Sequence, residues 1–254
     1  MSFKDKIVLI TGAAVGIGRE TALAFARQEA FVIVNYSKSA AEAQETLDKV
    51  KEMGGDGIVY QADVADEAAV TKMFADCGQR FGGIDILINN AGVTQFIPFS
   101  DLEAATGDVW SRLYNINVKG TFFCSREAAK WMESRPSPCI VNVASQAGLR
   151  PLGSSIPYSV SKAAQIHLTE CLAVTLAPEI RVNCVAPGYV DNTRWNAGRA
   201  DFSAEVAAAA ASKATPLKRV AEPAEIAEAI LFLAQPGSYC HGVILPVDGG
   251  RVLV

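Results

Sequence analysis

Ile7-Val-Leu-Ile-Thr-Gly-Ala-Ala-Val-Gly-Ile-Gly18 decides the fold. Its apolar, largely β-branched start, Ile7–Ile10, reads as a strand buried on both faces. Gly12, Gly16 and Gly18 follow, and then Arg19–Gln28 takes up helical spacing. Glycine permits a tight turn and lets backbone approach a pyrophosphate closely. The helix behind such a turn offers unpaired N–H groups and the positive end of its dipole. The spacing is G-x-x-x-G-x-G rather than the commoner G-x-G-x-x-G, and G-x-x-x-x-G-K-[ST], the triphosphate loop, is missing.

The same rhythm continues outward. Apolar runs recur at Phe31–Asn35, Gly57–Gln61, Ile84–Asn89, Cys139–Val143, Ile180–Val185 and Gly242–Val247. Helical spacing fills Ala40–Met53, Ala68–Phe81, Val109–Glu133, Tyr158–Leu176 and Ala224–Ala234. Near-continuous apolar strands alternating with helices predict an α/β, Rossmann-type doubly wound sheet: about seven parallel strands, helices on both faces. No Pro/Gly/Ser-rich linker or internal repeat divides the chain, so residues 1–254 read as a single domain that combines dinucleotide binding and catalysis. Residues 194–215 break the rhythm with an alanine-rich run and read as a surface helix or a mobile substrate lid.

Composition narrows the classes. Of 254 residues half are hydrophobic and a fifth charged, with a net charge of −4 and no basic run, which gives a nucleic-acid partner no support. The start, Met1-Ser-Phe-Lys-Asp-Lys6, lacks the apolar stretch of a signal peptide, and no apolar segment is long enough for a membrane span. A cytoplasmic protein without a membrane partner is expected. The six cysteines are scattered without C-x-x-C pairing, so neither a disulfide framework nor a metal site is expected.

Tyr158 and Lys162 lie four residues apart on a predicted helix, thus on one face, and Ser145 stands thirteen residues upstream. A tyrosine is a weak acid, with an ordinary pKa of about 10. A neighbouring ammonium favours the phenolate, and a serine hydroxyl can hold a substrate oxygen. Asp63-Val64 ends the third strand, where a carboxylate can accept from an adenine amino group, and Asn89-Asn-Ala-Gly92 ends the fourth. Ligands of open α/β sheets bind at such carboxyl ends.

Taken together, Thr11–Gly18, Asp63-Val64, Asn89–Gly92, Asn117, Ser145, Tyr158 with Lys162, Pro187-Gly188 and Asp248-Gly-Gly250 resemble the short-chain dehydrogenase/reductase family nearly end to end. The resemblance implies a nicotinamide-dependent alcohol dehydrogenase or carbonyl reductase, with 3-oxoacyl thioester reduction or sugar 1-dehydrogenation as specific alternatives. A non-enzymatic dinucleotide sensor is the opposing class, and the presence of Ser145, Tyr158 and Lys162 speaks against it. By the resemblance Tyr158 exchanges a proton with the substrate oxygen and Ser145 polarises that oxygen. Lys162 holds the nicotinamide ribose and lowers the tyrosine pKa, and Asn117, favoured over Asn115 by its spacing to Gly120, helps hold a water. The cofactor is implied to lie along Gly12, Gly16, Ile17, Gly18, Ser37, Lys38, Asp63, Val64, Asn89, Ala91, Gly92, Tyr158, Lys162, Pro187, Gly188, Val190 and Thr193. A homotetramer is implied as well.

The chain departs from the family pattern in three places. Glu29 stands between the first helix and second strand where glycine is usual, at a cost of roughly 1 kcal/mol if the backbone is left-handed there. Asn192 holds the usual threonine position and Thr193 comes one residue late. Val15 replaces a basic residue of many phosphate-preferring members. The second strand ends Val34-Asn-Tyr-Ser-Lys38 with no carboxylate to repel a 2′-phosphate, and Arg19 is expected near the pyrophosphate. NADP is the expected cofactor, with NAD possible. The substrate wall is expected from Gln95, Gln146, Tyr189 and Trp195, which suit a sugar, an acyl thioester or a hydrophobic ketone alike.

Overall fold

The structure is a computed structural model that describes residues 3–191, 193 and 203–254. Seven strands form one sheet: β1 (Ile7–Ile10), β2 (Phe31–Tyr36), β3 (Asp56–Gln61), β4 (Ile86–Asn89), β5 (Cys139–Val143), β6 (Arg181–Pro187) and β7 (Ile244–Val247). They run in the order β3-β2-β1-β4-β5-β6-β7, each pair parallel. Among the described residues, eight α-helices connect and flank them: α1 (Gly16–Ala26), α2 (Ala40–Glu52), α3 (Glu67–Phe81), α4 (Gly107–Tyr114), α5 (Thr121–Met132), α6 (Ile156–Leu176), α7 (Ala204–Ala214) and α8 (Pro223–Ala234).

Side chains alternate across the pleat, and both faces are covered. Val8, Ile10, Val32, Val34, Ile86, Ile88 and Val141 bury one face against α1, α2 and α8 through residues such as Phe25, Val50 and Ile230. Leu9, Ile33, Leu87, Ile140 and Val182 bury the other against α3, α5 and α6 through Phe74, Met132 and Leu172. This double burial is why the strands read as continuous apolar runs rather than alternating ones.

The order reverses between β1 and β4: from β1 the chain moves outward through β2 and β3, then returns to β4 and proceeds the other way. The carboxyl ends of β1 and β4 flank this switch point, where open α/β sheets form their ligand crevice. The glycine-rich turn follows β1 and Asn89–Gly92 closes β4.

One expected helix is different. Val109–Glu133 is not a single α-helix but α4, a π-helical stretch at Asn115–Gly120, and α5. The wider turn carries Asn117, whose side chain leaves the helix to bond the backbone of Val93: Oδ1 accepts from Val93 N at 2.9 Å and Nδ2 donates to Val93 O at 3.0 Å. A π-bulge of this kind re-aims one side chain at the expense of regular hydrogen bonding. Helix α6 also starts two residues ahead of Tyr158, at Ile156, with the Ser155 hydroxyl accepting from Tyr158 N at 3.3 Å and Pro157 in the first turn.

Candidate active site

The glycine-rich turn is held from three sides. Gly12 (φ 62°) and Gly16 (φ 58°) occupy the left-handed region that glycine tolerates. Asn35 on β2 accepts from Gly12 N through Oδ1 at 3.3 Å and from Ala13 N through its carbonyl at 2.9 Å. Asn90 donates its amide to Thr11 O and Gly12 O, both at 3.0 Å, while the Thr11 hydroxyl accepts from Asn90 N and Ala91 N. A Cβ at Gly18 would stand 2.5 Å from both Asn90 Nδ2 and Gly12 O, so only glycine fits. Asn90 is thus a clamp on the turn. Asn89 is buried in the sheet, donating to Ser125 Oγ at 3.0 Å and Asn142 Oδ1 at 2.8 Å.

These surroundings fit a dinucleotide. Helix α1 begins without a side-chain cap or an acidic residue in its first turn, so its amino-terminal N–H groups and dipole face the turn unneutralised. Ile17 packs its side chain against the core beneath. Asp63, exposed beyond β3, uses one carboxylate oxygen to accept from Ala65 N at 2.9 Å, and Val64 beside it is buried. Gly92 lies beside two of the expected catalytic residues: a Cβ there would lie 3.5 Å from both Asn117 Oδ1 and Lys162 Nζ. Thr193 reaches back over the turn, its methyl group 3.4 Å from where a Gly16 Cβ would be. On the same strand-end loop, Gly188 donates to Val247 O at 2.9 Å just after Pro187, and Val190 forms a bridge with Ala221.

Arg19 lies against the glycine-rich turn, and its guanidinium is engaged by protein partners. Both terminal nitrogens bond the Glu45 carboxylate at 3.1 Å, and Nε bonds Thr46 Oγ1 at 2.9 Å and Ala14 O at 3.1 Å. A bidentate carboxylate neutralises the guanidinium. The partner comes from α2, 26 residues on, which spacing within the first helix does not reveal. Ser37 and Lys38 are exposed at the end of β2, next to half-buried Tyr36.

Ser145, Tyr158 and Lys162 converge at the ends of β5 and α6. Ser145 follows β5 and caps a short 3-10 turn, Gln146–Gly148, its hydroxyl accepting from Ala147 N at 3.1 Å. The Tyr158 side chain is bonded to that of Ser145. Its ring is buried against Ile97, Val109, Leu113 and Ala147. Lys162 is buried too, with Nζ donating to Val143 O at 3.0 Å and Gln165 Oε1 at 2.7 Å, and standing 6.0 Å from the Tyr158 ring centroid. Burial pulls the lysine pKa down to about 8.

Tyr158 does not show the expected lowering of its pKa. Burial pushes the phenol up to about 12, against the bond from Ser145, which favours the phenolate. Desolvation of a phenolate outweighs the neighbours, and the hydroxyl stays protonated at neutral pH.

Two serines that flank the tyrosine matter more than their helical spacing suggests. Ser161 Oγ accepts from Asn117 Nδ2 at 3.0 Å and donates to Tyr158 O at 2.8 Å. Ser159 Oγ donates to Ala147 O at 2.6 Å, fixing the loop that bears Ser145. Ser161 thereby holds the Asn117 side chain, and Ser159 holds the turn that follows Ser145.

At the substrate side, the Thr94 and Ser154 hydroxyls are hydrogen-bonded, and Ile97 N donates to Ser154 O at 2.8 Å, so the loop after β4 is tied to the loop before α6. Gln95 and Tyr189 are half-buried. Gln146 carries a buried amide oxygen that has no hydrogen-bond partner among the described residues. Trp195 and Asn192, with most of the first part of the expected lid, lie outside the described residues. The rest of that segment is α7, capped by Ser203 and ending at Thr215, which packs against Gly249.

A family model described as enoyl-(acyl carrier protein) reductase matches residues 12–251. The chain is 38% identical to the granaticin polyketide synthase putative ketoacyl reductase 2 of Streptomyces violaceoruber, over 98% of this chain and 96% of that protein. It is 36% identical to the cis-4-hydroxycyclohexanecarboxylate dehydrogenase of Sinomonas cyclohexanicum, over 100% of this chain and 99% of the other. A crystal structure of a putative short-chain dehydrogenase/reductase from Burkholderia xenovorans superposes with a TM-score of 0.90 at 33% identity, covering 98% of this chain and 99% of that one. The chain belongs to the short-chain dehydrogenase/reductase family, oxidoreductases that bind NAD(P).

Proposed function

We propose that this oxidoreductase interconverts an alcohol and a carbonyl compound, with Tyr158 as the proton donor and acceptor and NADP as the preferred cofactor. The observation that carries the reading is the bonded Ser145–Tyr158 pair with the Lys162 ammonium one helical turn away, beside Gly92. When bound, the nicotinamide supplies or accepts the hydride. The chain's residues manage the oxygen and its proton. In reduction, the Tyr158 hydroxyl, held protonated by burial, gives its proton to the substrate oxygen while the Ser145 hydroxyl holds that oxygen. In oxidation the proton moves the other way. Lys162 and Asn117, meeting at Gly92, bracket the ribose side, and the clamped glycine turn with the α1 amino terminus suits the pyrophosphate. Asp63 suits the adenine.

The relatives' names, ketoacyl reductase and hydroxycyclohexanecarboxylate dehydrogenase, both describe chemistry between a carbonyl and a hydroxyl, which supports the reaction class. NADP is favoured by Ser37 and Lys38, exposed at the end of β2 where no carboxylate follows Tyr36. Substrate contacts fall to Gln95, Gln146, Tyr189 and Trp195. The partnerless Gln146 amide oxygen beside Ser145 favours a substrate that carries a hydrogen-bond donor, such as a hydroxyketone or sugar, over a plain hydrocarbon ketone. Exposed apolar side chains on α4, α5 and α6, among them Tyr114, Phe122 and Val160, support a homotetramer.

The test follows reduced-nicotinamide absorbance with both cofactors and a panel of hydroxyketones, sugars, 3-oxoacyl thioesters and plain ketones. The reading expects NADPH-dependent reduction, fastest with the hydroxylated compounds. Turnover with NADH alone would remove the cofactor preference, and turnover confined to carbon–carbon double bonds would overturn the reaction class.

A further inference from the structure

Helix α6 carries another buried polar side chain, Gln165, about one turn beyond Lys162. Gln165 is fully buried, facing the junction of the π-helical stretch and α5. A glutamine in such a place must satisfy both ends of its amide. Its oxygen accepts from Lys162 Nζ at 2.7 Å, and its nitrogen donates to Thr121 Oγ1 at 2.9 Å. The Thr121 hydroxyl donates in turn to the Asn117 carbonyl at 2.9 Å.

The direction of every bond in this chain is fixed. An ammonium only donates, so the amide oxygen of Gln165 must face Lys162. Its NH2 group must then face Thr121, which accepts and passes its own proton to Asn117 O. The bond to the ammonium is charge-assisted, and it draws on a dipole oriented before any ligand arrives. With Val143 O, Gln165 fixes two of the three N–H donors of Lys162 and leaves one for a ligand.

We propose that Gln165 is a positioning residue that holds the Lys162 ammonium in place and in its charged form, and that Thr121 fixes the orientation of Gln165 for that task. This rests on the reading of Lys162 as the cofactor-contacting residue. The bond works against the desolvation that draws Lys162 towards neutrality. Around Lys162, the titratable neighbours are Tyr158 on its own helix and Cys184 on β6. Burial pushes both to about 12, so neither is charged near neutral pH. Strand β5 presents the Val143 carbonyl, and the loop after β4 with the π-helical stretch presents Gly92 and the Asn117 amide. Among the described residues, then, the amide oxygen of Gln165 and the Val143 carbonyl are the stabilisers of the ammonium.

The experiment titrates Lys162 itself, by NMR of lysine-labelled protein with the signal assigned through Lys162→Arg, in wild type, Gln165→Met, Gln165→Glu and Thr121→Val. The pH dependence of NADPH affinity is measured on the same samples. Gln165→Met should lower the Lys162 pKa by about one pH unit, tenfold in its protonation constant. Gln165→Glu should raise it, and Thr121→Val should lower it less. Opposite shifts from the two Gln165 variants are not expected of general damage to the core. The pH above which NADPH affinity falls should move with each. An unchanged Lys162 pKa in Gln165→Glu and Thr121→Val, both folded by circular dichroism, overturns the proposal. A Lys162 pKa that moves while the NADPH profile stays put upholds Gln165 as its controller and instead overturns the placing of Lys162 at the cofactor.

Discussion

The charge on Lys162 should be visible in the stability of the fold. Lys162→Met keeps an unbranched chain of similar length and removes the buried amine. In the folded protein burial lowers the lysine pKa from 10.5 to about 8. Between those values the unfolded chain binds a proton that the folded chain has released, so stability rises with pH across this window. At about 1.4 kcal/mol per pH unit, the full rise is about 3 kcal/mol. It is lacking in the methionine variant. Tyr158 and Cys184 do not confuse the comparison, because burial holds both near 12 in the folded state, and titration of the unfolded chain is common to both proteins. The assay is urea denaturation of wild type and variant at pH 7 and pH 10, at one protein concentration. The wild-type stability minus that of the variant should grow by about 2–3 kcal/mol on the alkaline side. A difference that stays flat, or shrinks, would refute the claim that a desolvated ammonium sits at this position.

Two further outcomes are expected. Tyr36→Asp should turn the preference from NADPH towards NADH by ten-fold or more, of order 1–3 kcal/mol, since a carboxylate at the end of β2 opposes a 2′-phosphate; steady-state kinetics with both cofactors check it, and an unchanged ratio would mean the phosphate is read elsewhere. Glu29→Gly should stabilise the protein by about 1 kcal/mol and raise Tm by roughly 2–4 °C in thermal denaturation, because Glu29 sits at φ 60° past the end of α1.

That last position was readable from the sequence, and its physical reason is simple. Ala30 N donates to Phe25 O at 3.2 Å and Glu29 N to Ala26 O at 2.9 Å, the Schellman ending that demands a left-handed residue whatever its side chain. The sheet was equally legible, since strands buried on both faces leave near-continuous apolar runs. The glycine turn stands out by its strand–turn–helix setting, Tyr158 and Lys162 by their one-turn spacing, and Ser145 by the family resemblance. What stayed hidden depends on contacts between distant segments. The π-helical stretch differs from an α-helix by one residue per turn and is bound up with the pairing of Asn117 with Val93, 24 positions away. The pairing of Arg19 with Glu45 joins two different helices. Gln165 has the polarity of a solvent-facing residue, and only the buried amine beside it explains a glutamine there. The Tyr158 pKa is set by the apolar cluster around the ring, a collective property that no local spacing expresses.

The central claim is that the Tyr158 hydroxyl carries the proton of the reaction. Tyr158→Phe keeps the buried ring and its packing and removes the oxygen bonded to Ser145. The direct measurement is NADPH affinity by fluorescence titration together with turnover of the best substrate, for wild type and the phenylalanine variant. The account predicts cofactor affinity within about two-fold and a turnover lower by about 10²–10⁴. Turnover close to wild type, with affinity retained, would contradict it.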